Sequence, residues 1–258
     1  MNTETPLRVV ITGASSGLGL ALARFYLDRG AMVAAFARRG NLLQALSAEF
    51  PGRVSCYALD VRDSAALQHA AKDFIGRAGV PEVVIANAGV SVGTLTEDAG
   101  DLAAFQQVMD INVLGIVKTF QPFVEAMRTA QKGTLAGIAS VAGIRGLPGA
   151  GAYSASKAAA ISYLESLRVE LHGSGIKVVT ICPGYIKTPM TAVNPYAMPF
   201  ILDADVAAKR IARAISRQTP FVVIPWQMGW VARLLKWLPC WLYDRLFARA
   251  PRKPRGFH

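Results

Sequence analysis

The chain has 258 residues, 52% of them hydrophobic and 17% charged, with a formal net charge of +11. That length suits one large domain or two small ones around a substantial core, and the apolar content excludes a disordered chain. Three scattered cysteines (Cys56, Cys182, Cys240) and three histidines exclude a disulfide framework and a metal cluster, and the cysteines read as reduced thiols of a cytoplasmic protein.

The N-terminal "MNTETPLRVV" carries acidic Glu4 and no apolar run long enough for a secretion signal. Apolar runs and helical patterns then alternate. "LRVVIT" (7–12) is followed by a glycine-rich turn and the helical "GLALARFYLDRG"; next come "AMVAAFA" (31–37), a helix near 41–49 and "VSCYALD" (54–60). A helix near 64–77, "PEVVIANAG" (81–89), a long helical segment over about 101–130 and "GTLAGIAS" (133–140) continue the series. A helix beginning near Tyr153 precedes "KVVTICPG" (177–184). Strands that are apolar throughout and separated by helices predict a parallel sheet covered on both faces. The expected fold is therefore α/β, a doubly wound Rossmann-type sheet. The expected organisation is one domain over 1–220 with a C-terminal appendage over 221–258.

Two features of this chain point to chemistry. The turn "TGASSGLG" (12–19) holds Gly13, Gly17 and Gly19 between a strand and a helix. Glycines there permit a tight turn and close backbone approach, leaving a helix N-terminus aimed at a pyrophosphate. The second feature is "YSASKAAA" (153–160), which sets Tyr153 and Lys157 four residues apart on one helix face. An isolated pair of this kind reads either as a tyrosine packed on a lysine stem or as a phenol whose pKa a nearby ammonium lowers.

"TGASSGLG", "NAG" (87–89), "YSASK" (153–157) and "PGYIKT" (183–188) stand in the order and spacing of the short-chain dehydrogenase/reductase family, which the chain resembles over about residues 7–190. The resemblance implies a nicotinamide-dependent oxidoreductase that moves a hydride to or from a carbonyl or alcohol carbon. It implies a catalytic set of Asn112, Ser140, Tyr153 and Lys157. Tyr153 would be the general acid in reduction, and Lys157 would depress its pKa and hold the nicotinamide ribose. Ser140 would orient the carbonyl oxygen, and Asn112 would support a water that resupplies the proton. The implied cofactor-binding residues are Gly13, Ser15, Ser16, Gly17, Leu18 and Gly19 in the first turn. Asp60 at the adenine edge, Val61, Asn87, Ala88 and Gly89 follow, and Pro183, Gly184, Ile186 and Thr188 lie near the carboxamide.

Cofactor choice is read at the end of the second strand, "AFARR". Ala37 stands where a NAD-preferring site carries an acid, followed by Arg38 and Arg39. A guanidinium binds a 2′-phosphate that a carboxylate would repel. NADP is the expected cofactor, with Arg38 the principal contact and Ser16 a second. A solvated basic helix start is the competing reading. Lys118 reads as a solvated helix position or as the end of a proton relay.

Residues 189–202, "PMTAVNPYAMPFIL", make an apolar loop where the family carries its substrate lid, which suggests a hydrophobic carbonyl substrate. The tail opens on "FVVIP" (221–225), which is open to reading as an added strand; beyond it Trp230, Leu234, Leu235, Leu238, Trp241 and Leu242 recur at helical spacing, interrupted by Pro239. From Trp226 onward, seven basic residues face one acidic residue, Asp244. Arg233, Lys236 and Arg245 forbid a spanning helix. An interfacial membrane helix, a dimer contact and a lid over the active site remain three readings of this tail. The family pairs subunits through its long central helices, so a homodimer or homotetramer is expected, with Val117, Phe120, Val124, Leu164 and Leu167 available for contact. A nucleotide-sensing protein without catalysis is the alternative function; no nucleic-acid partner is expected.

Overall fold

In the computed structural model, which describes residues 5–256, strands and helices alternate from the start. The first half comprises β1 (Arg8–Thr12), α1 (Gly17–Leu27), β2 (Met32–Ala37), α2 (Gly40–Glu49), β3 (Val54–Ala58), α3 (Ser64–Ala78) and β4 (Val83–Ala86). A helical run follows, made of α4 (Asp101–Met109), a π turn (Asp110–Leu114) and α5 (Gly115–Thr129). Then come β5 (Gly133–Ile138), a 3-10 turn (Val141–Gly143), α6 (Gly151–Glu170) and β6 (Ile176–Pro183). The last third holds β7 (Ile186–Lys187), α7 (Pro189–Ala192), β8 (Leu202–Asp203), α8 (Ala204–Ser216), β9 (Phe221–Ile224), α9 (Trp226–Trp237) and α10 (Cys240–Phe247). The leader reading that involved Glu4, and the terminal His258, lie outside the described residues.

Seven strands form one sheet in the order β3-β2-β1-β4-β5-β6-β9. Every pairing in it is parallel. Successive strand residues face opposite sides. Val9 and Ile11 of β1 enter one core with α1, α2 and α8, while Val10 enters a second core with α3, α5 and α6. Burial on both faces is why the strands read as unbroken apolar runs instead of alternating ones. The order reverses between β1 and β4, and ligands bind beyond the carboxyl ends of strands at such a point.

Three details depart from the expectations above. No element is anticipated over 204–216, yet α8 is there, with Ala207, Ala208, Ile211, Ala212 and Ile215 buried at helical spacing against α1 and the sheet. The strand Phe221–Ile224, the added strand open in "FVVIP", pairs with β6 and completes the sheet, so the boundary at 220/221 falls before the last strand of the sheet and α9 follows from Trp226. Phe120, Leu164 and Leu167 are buried in this chain's own core and present no surface to a second subunit. Their side chains cover the sheet, which at this size needs both faces filled before any subunit contact is made.

Candidate active site

The carboxyl ends of β1, β2, β4, β5 and β6 open on one cleft of about 300 Å³. It is lined by Gly13, Ser15, Ser16, Gly17, Leu18 and Gly19 from the first turn, by Arg38, Arg39, Asp60 and Val61, and by Asn87, Ala88 and Gly89. Ser140, Tyr153, Lys157, Pro183, Gly184, Ile186 and Thr188 line its other end. Asn112 alone among the expected site residues does not line the cleft; it is fully buried beneath it.

The glycine turn is a built cradle. Gly13 has φ +71°, and a Cβ there would stand 2.9 Å from Asn87 Nδ2. A Cβ at Gly19 would collide with the carbonyl oxygen of Gly13. Side chains at either position would therefore push the turn off the end of β4. That end is itself tied to β1: Asn87 Nδ2 donates to the Thr12 carbonyl at 2.9 Å, and the backbone amides of Asn87 and Ala88 donate to Thr12 Oγ1 at 3.0 and 3.1 Å. Asn87 thus shapes the floor. A dinucleotide fits this turn, because α1 starts at Gly17 with its first amides directed along the helix axis toward the cleft.

At the far end of the cradle the structure assigns the two arginines different partners. Arg39 Nη2 donates to Ser15 Oγ at 3.0 Å and to Ser16 Oγ at 2.6 Å, joining the end of β2 to the glycine turn. Arg38 is exposed beside it and is one of the charges that hold the Asp60 carboxyl below its ordinary range. The main cause of that depression is Arg62, whose Nη2 donates to Asp60 Oδ2 at 2.7 Å. Arg62 is absent from the sequence reading. The i, i+2 spacing of opposite charges after a strand was its only signal. Lys118 donates to the Arg62 carbonyl at 2.7 Å and does not line the cleft.

Tyr153 and Lys157 lie in the first two turns of α6, whose inner positions Ala152, Ser156 and Ala160 are small enough for close approach to the neighbouring elements. Lys157 is buried, with Nζ donating to the Ile138 carbonyl at 2.8 Å and standing 5.9 Å from the centre of the Tyr153 ring. Burial brings its pKa down from 10.5 to about 8. Burial also pushes the Tyr153 phenol above its ordinary value, with the Ser140 hydroxyl pulling the other way. Desolvation is thus the main influence on the phenol, and Lys157 Nζ keeps further N–H donors beyond the one given to the Ile138 carbonyl. A phenol carries its proton at neutral pH in any case, and burial acts in the same direction.

Ser140 lies two residues beyond β5 and caps the 3-10 turn, accepting from the Ala142 amide at 3.1 Å and donating to the Pro183 carbonyl at 3.4 Å. Asn112 sits inside the π turn, a geometry that often marks function in a helix. Its Oδ1 accepts from Val90 N at 2.8 Å, and its Nδ2 donates to Val90 O at 2.9 Å and Ser156 Oγ at 3.0 Å. Ser156 in turn donates to the Tyr153 carbonyl at 2.8 Å. The amide thus joins the loop after β4 to the helix that carries Tyr153, a positioning role that the sequence reading did not contain.

Beside Thr188 the cleft is lined by Ile186, Pro189, Met190 and Thr191. Tyr185 packs edge-on against Tyr196 with ring centres 6.4 Å apart. The C-terminal tail lies across the loops that surround this region. Tyr243 Oη donates to the Gly146 carbonyl at 2.5 Å, Gly93 N to the Pro254 carbonyl at 2.8 Å, and Lys253 Nζ to the Met190 carbonyl at 3.4 Å. Arg255 forms ion pairs with Asp98 and Asp101.

A doubly wound sheet with a glycine cradle at its switch point and a tyrosine–lysine pair across the cleft defines a dinucleotide-dependent oxidoreductase. Comparison with known proteins agrees. The family model described as short chain dehydrogenase matches residues 8–197. The chain is 38% identical over 238 residues to an uncharacterized oxidoreductase of Myxococcus xanthus, covering 91% of this chain and 94% of that one. It is 36% identical over 202 residues to the 2-dehydro-3-deoxy-L-rhamnonate dehydrogenase (NAD(+)) of a Sphingomonas species, covering 78% of this chain and 81% of that one. A short-chain dehydrogenase from Streptomyces avermitilis superimposes with a TM-score of 0.79 at 25% identity, over 90% of this chain and 92% of that one. The chain belongs to the short-chain dehydrogenase family. It is an oxidoreductase of CH–OH and C=O groups that works with a nicotinamide cofactor.

Proposed function

We propose that the chain is an NADP(H)-dependent carbonyl reductase or alcohol dehydrogenase for a hydrophobic substrate, with Tyr153 as the general acid in reduction. The observation that carries this reading is the single cleft: nucleotide turn and arginines at one end, Tyr153, Lys157 and Ser140 at the other. The nicotinamide supplies or accepts the hydride. The chain's own residues do the rest. Ser140 and Tyr153 orient a carbonyl oxygen, Tyr153 Oη gives it a proton, and Lys157 sits where it would meet the ribose hydroxyls beside the phenol. A polar sugar acid, the substrate in the name of the Sphingomonas relative, would meet Ile186, Pro189 and Met190 here, and those side chains favour an apolar ketone. NADPH oxidation screened over hydrophobic ketones tests the reading. Turnover confined to polar sugar acids overturns the substrate class, and tight NADPH binding without turnover of any ketone overturns the activity in favour of a sensor.

NADP is supported by Ala37 in the place of an acid and by Arg38, Arg39, Ser15 and Ser16 gathered at one corner of the cleft. A 2′-phosphate placed there would replace hydroxyls as the partner of Arg39 and take a charge-assisted bond from Arg38. Arg38→Asp is expected to weaken NADPH by about 1.5–3 kcal/mol, roughly tenfold to a hundredfold, and to leave NADH nearly unchanged. Equal wild-type affinity for NADH and NADPH, read by fluorescence titration, would refute the assignment.

We also propose a cytoplasmic enzyme that pairs through its central helices. With Phe120, Leu164 and Leu167 turned inward, the exposed apolar side chains of these helices are Leu102, Phe105, Leu114 and Val169, and Val117 and Val124 are half-buried. A strictly monomeric protein at micromolar concentration in sedimentation would refute the pairing.

A further inference from the structure

We propose that the outer face of α9 and α10 is a docking surface for an anionic phospholipid bilayer, at which the enzyme sits peripherally. Helix α9 carries two apolar faces. Its inner face is occupied in the usual way: Met228 and Ala232 are buried, and Met228 packs on Gly184. Its outer face bears Trp226, Trp230, Leu234 and Trp237, spaced by four, four and three residues and hence on one side of the helix. They are 66%, 63%, 66% and 85% exposed. In α10, Trp241 and Leu246 are 68% and 61% exposed. Indole rings turned outward in a row contribute nothing to this chain's core, and an exposed apolar stripe of that length marks a contact surface.

Charge selects the occupant. Exposed Arg233, Lys236, Arg245 and Arg249 border the stripe, and Asp244 is the one acid from Trp226 onward. A symmetric contact with a second copy would set these cations against their own images. An anionic bilayer would meet them with phosphates while the indoles enter the headgroup region, where tryptophan and arginine are both at home. Arg233 already lies 5.3 Å from the Trp230 ring centre, leaving its guanidinium at the edge of the stripe. Among the described residues no helix is long and apolar enough to cross a membrane, which limits the contact to the surface. The platform is fastened to the body. Arg145 lies 4.4 Å from the Tyr243 ring centre, and Arg255 holds the strap beyond α10. The surface therefore adjoins the turn after Ser140. This inference does not depend on the cofactor or the substrate.

Flotation of the intact protein with phosphatidylcholine vesicles, with and without phosphatidylglycerol, tests it. The protein should float with the phosphatidylglycerol vesicles at low salt. It should be released in about 1 M salt, where the screening length falls to about 3 Å. The double variant Trp230→Ser/Trp237→Ser should lose at least about a tenfold share of vesicle affinity, with its melting temperature and NADPH affinity retained because the inner face of α9 is untouched. The charge-reversed variant Arg233→Glu/Lys236→Glu should lose binding to the anionic vesicles as well. Wild-type protein left at the bottom of the gradient at low salt overturns the proposal. So does a tryptophan variant that floats like wild type. A tryptophan variant whose only change is a smaller mass in sedimentation assigns the face to a second copy instead and also overturns it.

Discussion

Tyr153→Phe is expected to lower kcat for ketone reduction by about 10²–10⁴-fold, the range that a positioned general acid contributes. The phenol lines the cleft opposite the nucleotide turn, and with an ordinary pKa near 10 that burial raises further, it carries at neutral pH the proton a nascent alkoxide needs. Phenylalanine keeps the ring, its packing and the apolar wall, and removes only that proton. NADPH affinity and melting temperature should therefore stay near wild type while turnover collapses, which separates loss of the acid from loss of the site. The raised phenol also sets the pH dependence. Reduction should be fully active through neutral pH. Alcohol oxidation, which needs the phenolate as base, should rise steadily as pH increases. A Tyr153→Phe enzyme as fast as wild type would remove Tyr153 from the chemistry and leave Ser140 and Lys157 without a proton to handle.

What could be read in the residues beforehand was whatever short-range rules control. β1, β2, β4, β5 and β6 announced themselves because strands buried on both faces are apolar at nearly every position, and half-buried β3 at the sheet edge did so through Val54, Cys56 and Tyr57. The glycine turn and the tyrosine–lysine pair were legible because each is confined to a few consecutive residues. What escaped depends on residues far apart in sequence. The π turn at Asn112 exists to bring an amide onto Val90, 22 residues away. Arg39 reaches Ser15 and Ser16 across 24 and 23 residues, and neither arginine announces from its spacing which hydroxyls it will meet. α8 was legible and overlooked: Ala207, Ala208, Ile211, Ala212 and Ile215 have helical period, hidden by four basic side chains between the lid and β9. The inward turn of Phe120, Leu164 and Leu167 could be settled only by knowing which side of each helix lies on the sheet. The tail's two faces were inseparable for the same reason, since tryptophan and leucine fill a core and a membrane-facing stripe equally well.

Lys157→Met is expected to make the cofactor-free protein more stable at pH 7 while abolishing useful turnover. Lys157 is buried with one carbonyl partner, Ile138 O, and its pKa falls from 10.5 to about 8 because burial disfavours the charge. At pH 7 both folded and unfolded chains hold the proton, so the whole desolvation cost, about 3 kcal/mol, opposes folding. Methionine fills a similar volume without a charge. Losing the bond to Ile138 O gives back about 1–2 kcal/mol. The net gain of about 1–2 kcal/mol corresponds to a melting temperature higher by about 3–6 °C for a domain of this size. The sign then changes with pH. Between about 8 and 10.5 the folded wild type has released a proton that its unfolded chain still holds, so wild-type stability rises with pH across that window. The variant has no such group, and its advantage should shrink above pH 8 and be gone near pH 10. Calorimetry of both proteins at pH 7 and pH 10, without cofactor, reads both effects. A gain that persists unchanged at pH 10 would mean that packing and not charge burial produced it. No gain at pH 7 would mean that Lys157 is already neutralised by a partner in the empty cleft, and that the ammonium is not held there at a cost to folding for the sake of the chemistry at Tyr153.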